Sequence, residues 1–86
     1  MQFINFTGDF SVLKKKGFMS TSKDPFEEGT LSKAIGNGFT ILIRQNREIR
    51  MCLGDFIYPA VDKLKPTLDK MEIPYEIIGE PEKENE

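Results

Sequence analysis

The sequence predicts a small α+β protein in which an antiparallel sheet carries its helices on one face. Residues 2–6 are rich in strand-forming side chains, residues 39–53 alternate on either side of a turn, and residues 57–71 space their apolar side chains as a helix does. A further helical segment and a last strand complete the order. That βαββαβ order is typical of ferredoxin-like domains, and a looser α+β arrangement is the alternative.

Length and composition set the expected number of domains. Eighty-six residues with a hydrophobic content of 38% supply one modest core. We expect a single domain over residues 1–79 and a disordered acidic tail over residues 80–86. The sequence has no apolar run of membrane-spanning length, no secretory signal and only one cysteine, Cys52, so we expect a cytoplasmic protein. It contains no histidine, and we expect neither a metal site nor a cofactor.

The first helix is predicted directly after the strand at residues 2–6. Asp9 offers its start, and three lysines at positions 14–16 fall in its last turn. Positive charge suits the negative end of the helix dipole there, and Gly17 follows at the position of a C-terminal glycine cap. The lysine run therefore already has a structural explanation.

A second helix is predicted to begin at Asp24 and Pro25 and to continue through Ile35. Aspartate suits the N-cap position and proline suits the first helical position. Residues 36–38, Gly-Asn-Gly, end the helix. On this interpretation residues 18–22 are a connector between two short helices.

Residues 39–53 are the clearest element, because two runs of branched side chains flank a turn at residues 45–48. One face of this hairpin should join the core, and Arg44 and Arg50 should lie on the other. Strand and helix spacing together predict a core made of Phe3, Phe6, Phe39, Ile41, Ile43, Ile49, Met51, Leu53, Leu64, Leu68 and Ile77.

The next segment, residues 57–71, is predicted to be a helix. Apolar side chains recur at the spacing of one buried stripe from Val61 to Met71. Pro66 lies inside this stretch and predicts a kink or a restart, since proline removes a backbone hydrogen bond and clashes with the preceding turn. A last strand is predicted at residues 75–78.

The run GFMSTS at residues 17–22 resembles the central motif of arginine-directed mono-ADP-ribosyltransferases, and the order of predicted elements through residue 44 is similar to theirs. The resemblance implies that an aromatic residue and a Ser-Thr-Ser run begin a strand that shapes an NAD pocket. The residues that it assigns to a remnant of that pocket are Phe18, Ser20, Thr21 and Ser22.

The chain departs from that family at its two catalytic features. The arginine that the family carries on an early strand has no match in residues 1–16, and Glu-x-Glu occurs only within residues 80–86. A tail too polar to pack cannot hold a glutamate in a preorganised geometry. The connector interpretation of residues 18–22 is therefore preferred, and the protein is expected not to be an enzyme.

Charge is unevenly distributed along the chain. Residues 1–71 carry a net charge of +3, whereas residues 72–86 carry −5. Most such charge serves solvation, but a basic surface also suits RNA or an acidic partner protein. The residues expected to contact such a partner are Lys14, Lys15, Lys16, Lys23, Arg44, Arg47 and Arg50.

The function predicted from these features is that of a small non-enzymatic binding protein that inhibits or modulates a larger partner. In its general style the chain resembles the accessory proteins of large bacteriophages, which implies a host enzyme, a toxin or a defence system as the partner, with RNA a further component. The alternatives are an RNA-binding protein that uses a basic sheet face and a degenerate ADP-ribosyltransferase relative. A homodimer is left open, and no membrane partner is expected.

Overall fold

The computed structural model describes residues 2–21 and 29–79, and these residues form one antiparallel sheet of seven strands with two helices. All pairings between strands are antiparallel. Neither helix has the length or the apolar composition needed to cross a membrane. The elements are β1 (Gln2–Phe6), α1 (Phe10–Lys15), β2 (Met19–Thr21), β3 (Thr30–Gly36), β4 (Phe39–Ile43), β5 (Glu48–Leu53), β6 (Phe56–Tyr58), α2 (Val61–Lys70) and β7 (Tyr75–Gly79).

The strand order in the sheet is β2-β3-β4-β5-β1-β7, and β6 also pairs with β5. Two strands therefore share one edge of β5: β1 pairs with its first half at Ile49, and β6 pairs with its second half at Leu53. The predicted α+β class with an antiparallel sheet is confirmed. The ferredoxin-like order is not, because the sheet has seven strands instead of four.

The core lies between one face of the sheet and the two helices. Side chains alternate between the two faces of each strand, and those on one face join the helices in a single buried cluster. The cluster consists of Ile4, Phe6, Leu13, Phe18, Leu31, Ile41, Ile43, Ile49, Met51, Leu64, Leu68 and Ile73. The opposite sheet face adds no member to it.

Seven predicted core residues are confirmed: Phe6, Ile41, Ile43, Ile49, Met51, Leu64 and Leu68. Phe39 and Ile77 pack against this core but are only partly buried, and the prediction is wrong at Phe3 and Leu53. Phe3 and Phe6 are three positions apart in β1, so they must point to opposite faces of the sheet. Ile4 and Phe6 fill the core instead, at 0% and 1% exposure. Leu53 lies on the core side but beyond the helices, where it is 42% exposed.

Helix α1 is confirmed together with both of its predicted caps. The Asp9 side chain accepts a hydrogen bond of 3.0 Å from the Ser11 N–H at the start of the helix. At the other end Gly17 has φ +98, and the Phe18 N–H donates to the Leu13 carbonyl at 3.0 Å. This is a Schellman motif, in which glycine takes the left-handed position and the next residue closes the end of the helix.

The predicted second helix is wrong for residues 30–35, which belong to strand β3. Its predicted start at Asp24 and Pro25 lies outside the described residues. Leu31 and Ile35 are four positions apart, which fits a helical stripe. In a strand the same spacing places them on one face, together with Lys33. Pairing with β2 on one side and β4 on the other favours the strand.

The segment after the hairpin is divided between a strand and a helix. Phe56–Tyr58 forms β6, so the helix begins at Val61 instead of residue 57. Pro66 lies inside α2 without the expected restart, since one helix runs from Val61 to Lys70. The last strand is confirmed as β7, whereas the tail predicted at residues 80–86 lies outside the described residues.

Candidate binding surfaces

Arg44 and Arg50 are bound by a carboxylate that lies between them. Glu48 accepts a hydrogen bond from Arg44 at 3.2 Å and another from Arg50 at 3.0 Å. All three side chains are partly buried, and the alternation of the strands places them on the sheet face opposite the helices. Arg50 also lies 5.9 Å from the centre of the Phe3 ring. Two of the predicted contact residues are therefore held within the fold by Glu48.

Arg47, in the hairpin turn, joins that turn to the loop after β1. Its Nη1 donates to the Phe6 carbonyl at 3.2 Å and to the Gly8 carbonyl at 2.6 Å. The guanidinium carbon also lies 4.9 Å from the centre of the Phe10 ring. These contacts give Arg47 a structural role of its own.

The predicted lysines lie in the helical layer, away from the arginine face of the sheet. Lys16 Nζ donates to the Met71 carbonyl at 3.0 Å and so caps the end of α2. Lys14 and Lys15 are exposed on α1, and Lys23 lies outside the described residues. Among the described residues, the structure therefore separates Arg44 and Arg50 from the three lysines of residues 14–16.

The Ser-Thr-Ser stretch is only partly described, and its described part is a strand. Met19–Thr21 forms β2 at the edge of the sheet, so the predicted connector is wrong for these residues. Ser20 pairs with Leu31 of β3, and Phe18 is buried at 2% exposure. Ser22 lies outside the described residues.

Ser20 and Lys14 meet at a small cleft between α1 and the β2 edge. Its volume is about 280 Å³. The lining residues are Phe10, Lys14, Ser20, Gly29, Leu31 and Gln45. Two residues predicted separately as candidate site residues thus face the same cleft.

Cys52 is held as a neutral thiol. Burial raises its pKa, and the nearby charge of Asp55 raises it further. The thiol lies 3.1 Å from the Gly54 carbonyl, to which it donates. A buried thiol with a raised pKa is a poor nucleophile, because the thiolate is the reactive form.

Sequence reasoning missed an apolar surface beside the β5–β6 turn, at the end of the sheet opposite the turn at residues 45–48. We call it the tip patch and define it as the exposed Leu53 and Phe56 together with the partly buried Phe39 and Tyr58. Leu53 is the cross-strand partner of both Phe39 and Phe56. Phe56 is 65% exposed, and its ring stacks on that of Tyr58 with the ring centres 5.1 Å apart. The apolar face of the sheet therefore continues past the end of the helical layer.

The turn at Gly54 and Asp55 explains how the tip patch forms. Gly54 has φ +61, a conformation that costs glycine little, and the chain reverses so that Phe56 lies opposite Leu53. The Lys63 ammonium of α2 lies 3.9 Å from the centre of the Phe39 ring and borders the patch. A cleft of about 470 Å³ adjoins it at Tyr58 and Lys63.

No protein-family model, no curated protein and no solved structure matches this chain. The residues that the structure describes contain no group of three side chains able to hold a metal ion. The argument for function therefore starts from the surfaces described above.

Proposed function

We propose that this chain is a small non-enzymatic binding protein that inhibits or modulates a larger partner protein, and that the tip patch is its binding surface. The observation that carries the proposal is the exposure of Phe56 at 65% beside Leu53 at 42%. Large apolar side chains grouped at one exposed site are typical of interaction surfaces, whereas single scattered ones are ordinary.

The chemistry of the tip patch favours a protein as the partner. Aromatic side chains bury a large area at low conformational cost and supply many of the residues that dominate protein interfaces. Phe56 and Tyr58 are held by stacking on a paired strand, so little conformational freedom is lost on binding. The fitting partner presents an apolar pocket, with polar groups around it that can meet Asp55 and Lys63.

Direct RNA binding has less support than protein binding. Arg44 and Arg50 are hydrogen-bonded to Glu48, and Arg47 is bonded to backbone carbonyls. The Glu48 carboxylate beside Arg44 and Arg50 offsets the attraction of these two guanidinium groups for a phosphate. RNA carried by the partner protein is compatible with the proposal. A degenerate ADP-ribosyltransferase relative remains an alternative, and NAD binding measured by calorimetry is its test.

We also infer that β7, β1, β5 and β4 correspond to the four strands of the ferredoxin-like order predicted from the sequence. β5 lies between β4 and β1, and β1 lies between β5 and β7. The connection through α1 and the connection through α2 therefore each pass over one intervening strand, as in a split βαβ unit. On this inference β2, β3 and β6 are additions, and β6 carries part of the tip patch.

The class of partner is inferred from the general resemblance of the chain to bacteriophage accessory proteins. That resemblance implies a host enzyme, a toxin or a defence protein. The experiment captures partners from a bacterial host lysate with tagged protein, with and without nuclease. Three versions are compared: wild type, Phe56→Asp and Met19→Asp. Met19 is a matched control, because it is 73% exposed and lies on β2 at one edge of the sheet.

The proposal expects a protein that wild type and Met19→Asp both capture after nuclease treatment and that Phe56→Asp does not. Capture that nuclease abolishes would favour RNA binding instead. Capture that Phe56→Asp leaves unchanged would contradict the tip patch as the binding surface.

A further inference from the structure

The cleft between α1 and the β2 edge combines apolar walls with several hydrogen-bond donors. Phe10 and Leu31 supply the apolar walls of its roughly 280 Å³. Lys14 contributes an ammonium group, Ser20 a hydroxyl and Gln45 a carboxamide. Among the residues that the structure describes, no carboxylate lines the cleft. Its volume is slightly below the range of about 300–1,000 Å³ that is usual for ligand pockets, which suits a small ligand.

The polar groups of the cleft differ in their bonding from Lys16, Arg44, Arg47 and Arg50, whose side chains all make hydrogen bonds. Within the described part of the chain, the side chains of Lys14, Ser20 and Gln45 make no hydrogen bond to another residue. Arg47, by contrast, is bonded to two backbone carbonyls. Of the predicted contact residues that the structure describes, Lys14 lines this cleft.

The position of Gln45 depends on the absence of a side chain at Gly29. Gly29 has φ +87, and a Cβ atom built there would overlap the Gln45 carboxamide. The backbone conformation favours glycine here, and a side chain at this position would displace the Gln45 carboxamide. The local structure places the Gln45 amide in the wall of the cleft.

We propose that this cleft binds an oxyanion, a phosphate or a carboxylate, carried on a small flat apolar body. The apolar body would lie against Phe10 and Leu31. The oxyanion would accept hydrogen bonds from Lys14, Ser20 and Gln45, and the guanidinium of Arg47, 4.9 Å from the Phe10 ring centre, adds positive potential nearby. This site is separate from the tip patch and does not depend on the proposed partner.

The test is a titration followed by amide NMR spectra at constant ionic strength. The probes are phenyl phosphate, benzoate and, as a neutral probe of the same shape, benzyl alcohol. Wild type is compared with Lys14→Gln and with Lys15→Gln, because Lys15 is the exposed neighbour on α1 that does not line the cleft. Since both lysines are exposed, both variants are expected to fold, and their spectra without probe confirm it.

At millimolar concentration we expect phenyl phosphate or benzoate to shift the amide signals of Ser20, Leu31 and Gln45. Lys14→Gln should weaken binding by about tenfold, since hydrogen bonds to charged groups are the strong ones. Lys15→Gln should bind as wild type does. The probe that binds more tightly identifies the oxyanion as phosphate or carboxylate.

Three results would overturn the proposal. They are no shift with either anionic probe, shifts confined to residues outside the cleft, and equal weakening by Lys14→Gln and Lys15→Gln. Equal binding of benzyl alcohol would also overturn it, because the apolar walls alone would then account for the affinity.

Discussion

The guanidinium carbon of Arg47, in the hairpin turn, lies 4.9 Å from the centre of the Phe10 ring, at the start of α1. Two hydrogen bonds from the same guanidinium reach the carbonyls of Phe6 and Gly8. One side chain therefore ties the turn between β4 and β5 to the segment that links β1 with α1. Arg47, which the sequence predicts as a partner contact, therefore has a role in stability.

Arg47→Ala is predicted to lower the free energy of unfolding by about 1–2 kcal/mol, because two hydrogen bonds and a cation–π contact are lost. Urea unfolding measures the change. Arg47→Gly should lose less, since Arg47 has φ 79 and glycine accepts that conformation more readily than alanine. A variant with wild-type stability and lost partner binding would instead make Arg47 a contact residue.

Glu48→Gln is predicted to lower the free energy of unfolding by about 1.5–3 kcal/mol, the range for hydrogen bonds to charged groups. The substitution leaves the guanidiniums of Arg44 and Arg50 side by side without a carboxylate. Glu76→Gln is the control, since Glu76 is exposed on the same sheet face. The control should change stability by about 0.5 kcal/mol or less. Equal effects of the two substitutions would contradict a structural role for the Glu48 pairs.

Ile41→Ala is predicted to cost about 2–5 kcal/mol of stability, because it leaves a cavity in a packed core. Ile41 is 0% exposed and lies on the core face of β4. Met19→Ala, at a side chain that is 73% exposed, is the control and should be nearly neutral. Chemical denaturation of both variants checks the prediction, which fails if Ile41→Ala is as stable as the control.

The negative charge of Asp9 is predicted to stabilise the folded chain near neutral pH and to lose this effect in acid. The Ser11 N–H donates to its carboxylate and lowers the pKa of Asp9 below 3.8, with Arg47 as a smaller cause. A carboxyl group whose pKa is lower in the folded chain than in the unfolded chain stabilises the fold fully at pH values above its unfolded pKa. That contribution is lost as the pH falls through its folded pKa.

Asp9→Asn isolates this charge, because asparagine keeps the capping hydrogen bond. The stability difference between wild type and variant should stay constant above about pH 5 and shrink toward about pH 2. Thermal unfolding across that range measures it. A difference that does not change with pH would show that the Asp9 charge has no part in capping.

The elements that the sequence predicts well are those whose signal is local. The hairpin at 39–53 follows from alternation around a turn, and α1 follows from its caps at Asp9 and Gly17. β3 is mispredicted, because Leu31, Ala34 and Ile35 also fit helical spacing. The choice between helix and strand there depends on pairing with β2 and β4, which is a tertiary effect.

The tip patch could not be predicted from the sequence for a related reason. Phe56–Tyr58 is a strand of three residues, too short to show alternation, and it directly precedes a strong helical pattern. The exposure of Leu53 depends on how much of the sheet α2 covers, and α2 begins beside the patch. Local spacing therefore reveals neither the strand at Phe56–Tyr58 nor the exposure of Leu53. The Gly54-Asp55 pair was nevertheless an available signal for a second hairpin.

The proposed function depends most directly on Phe56, so the decisive measurement is the affinity of the captured partner for Phe56→Asp, Met19→Asp and wild type. Unfolding midpoints of the three proteins are compared first, so that a loss of binding is not a loss of folding. Removal of a residue that dominates an interface costs at least about 2 kcal/mol, or roughly a thirtyfold loss of affinity. The account predicts that loss for Phe56→Asp and wild-type affinity for Met19→Asp. Wild-type affinity of a folded Phe56→Asp would contradict it.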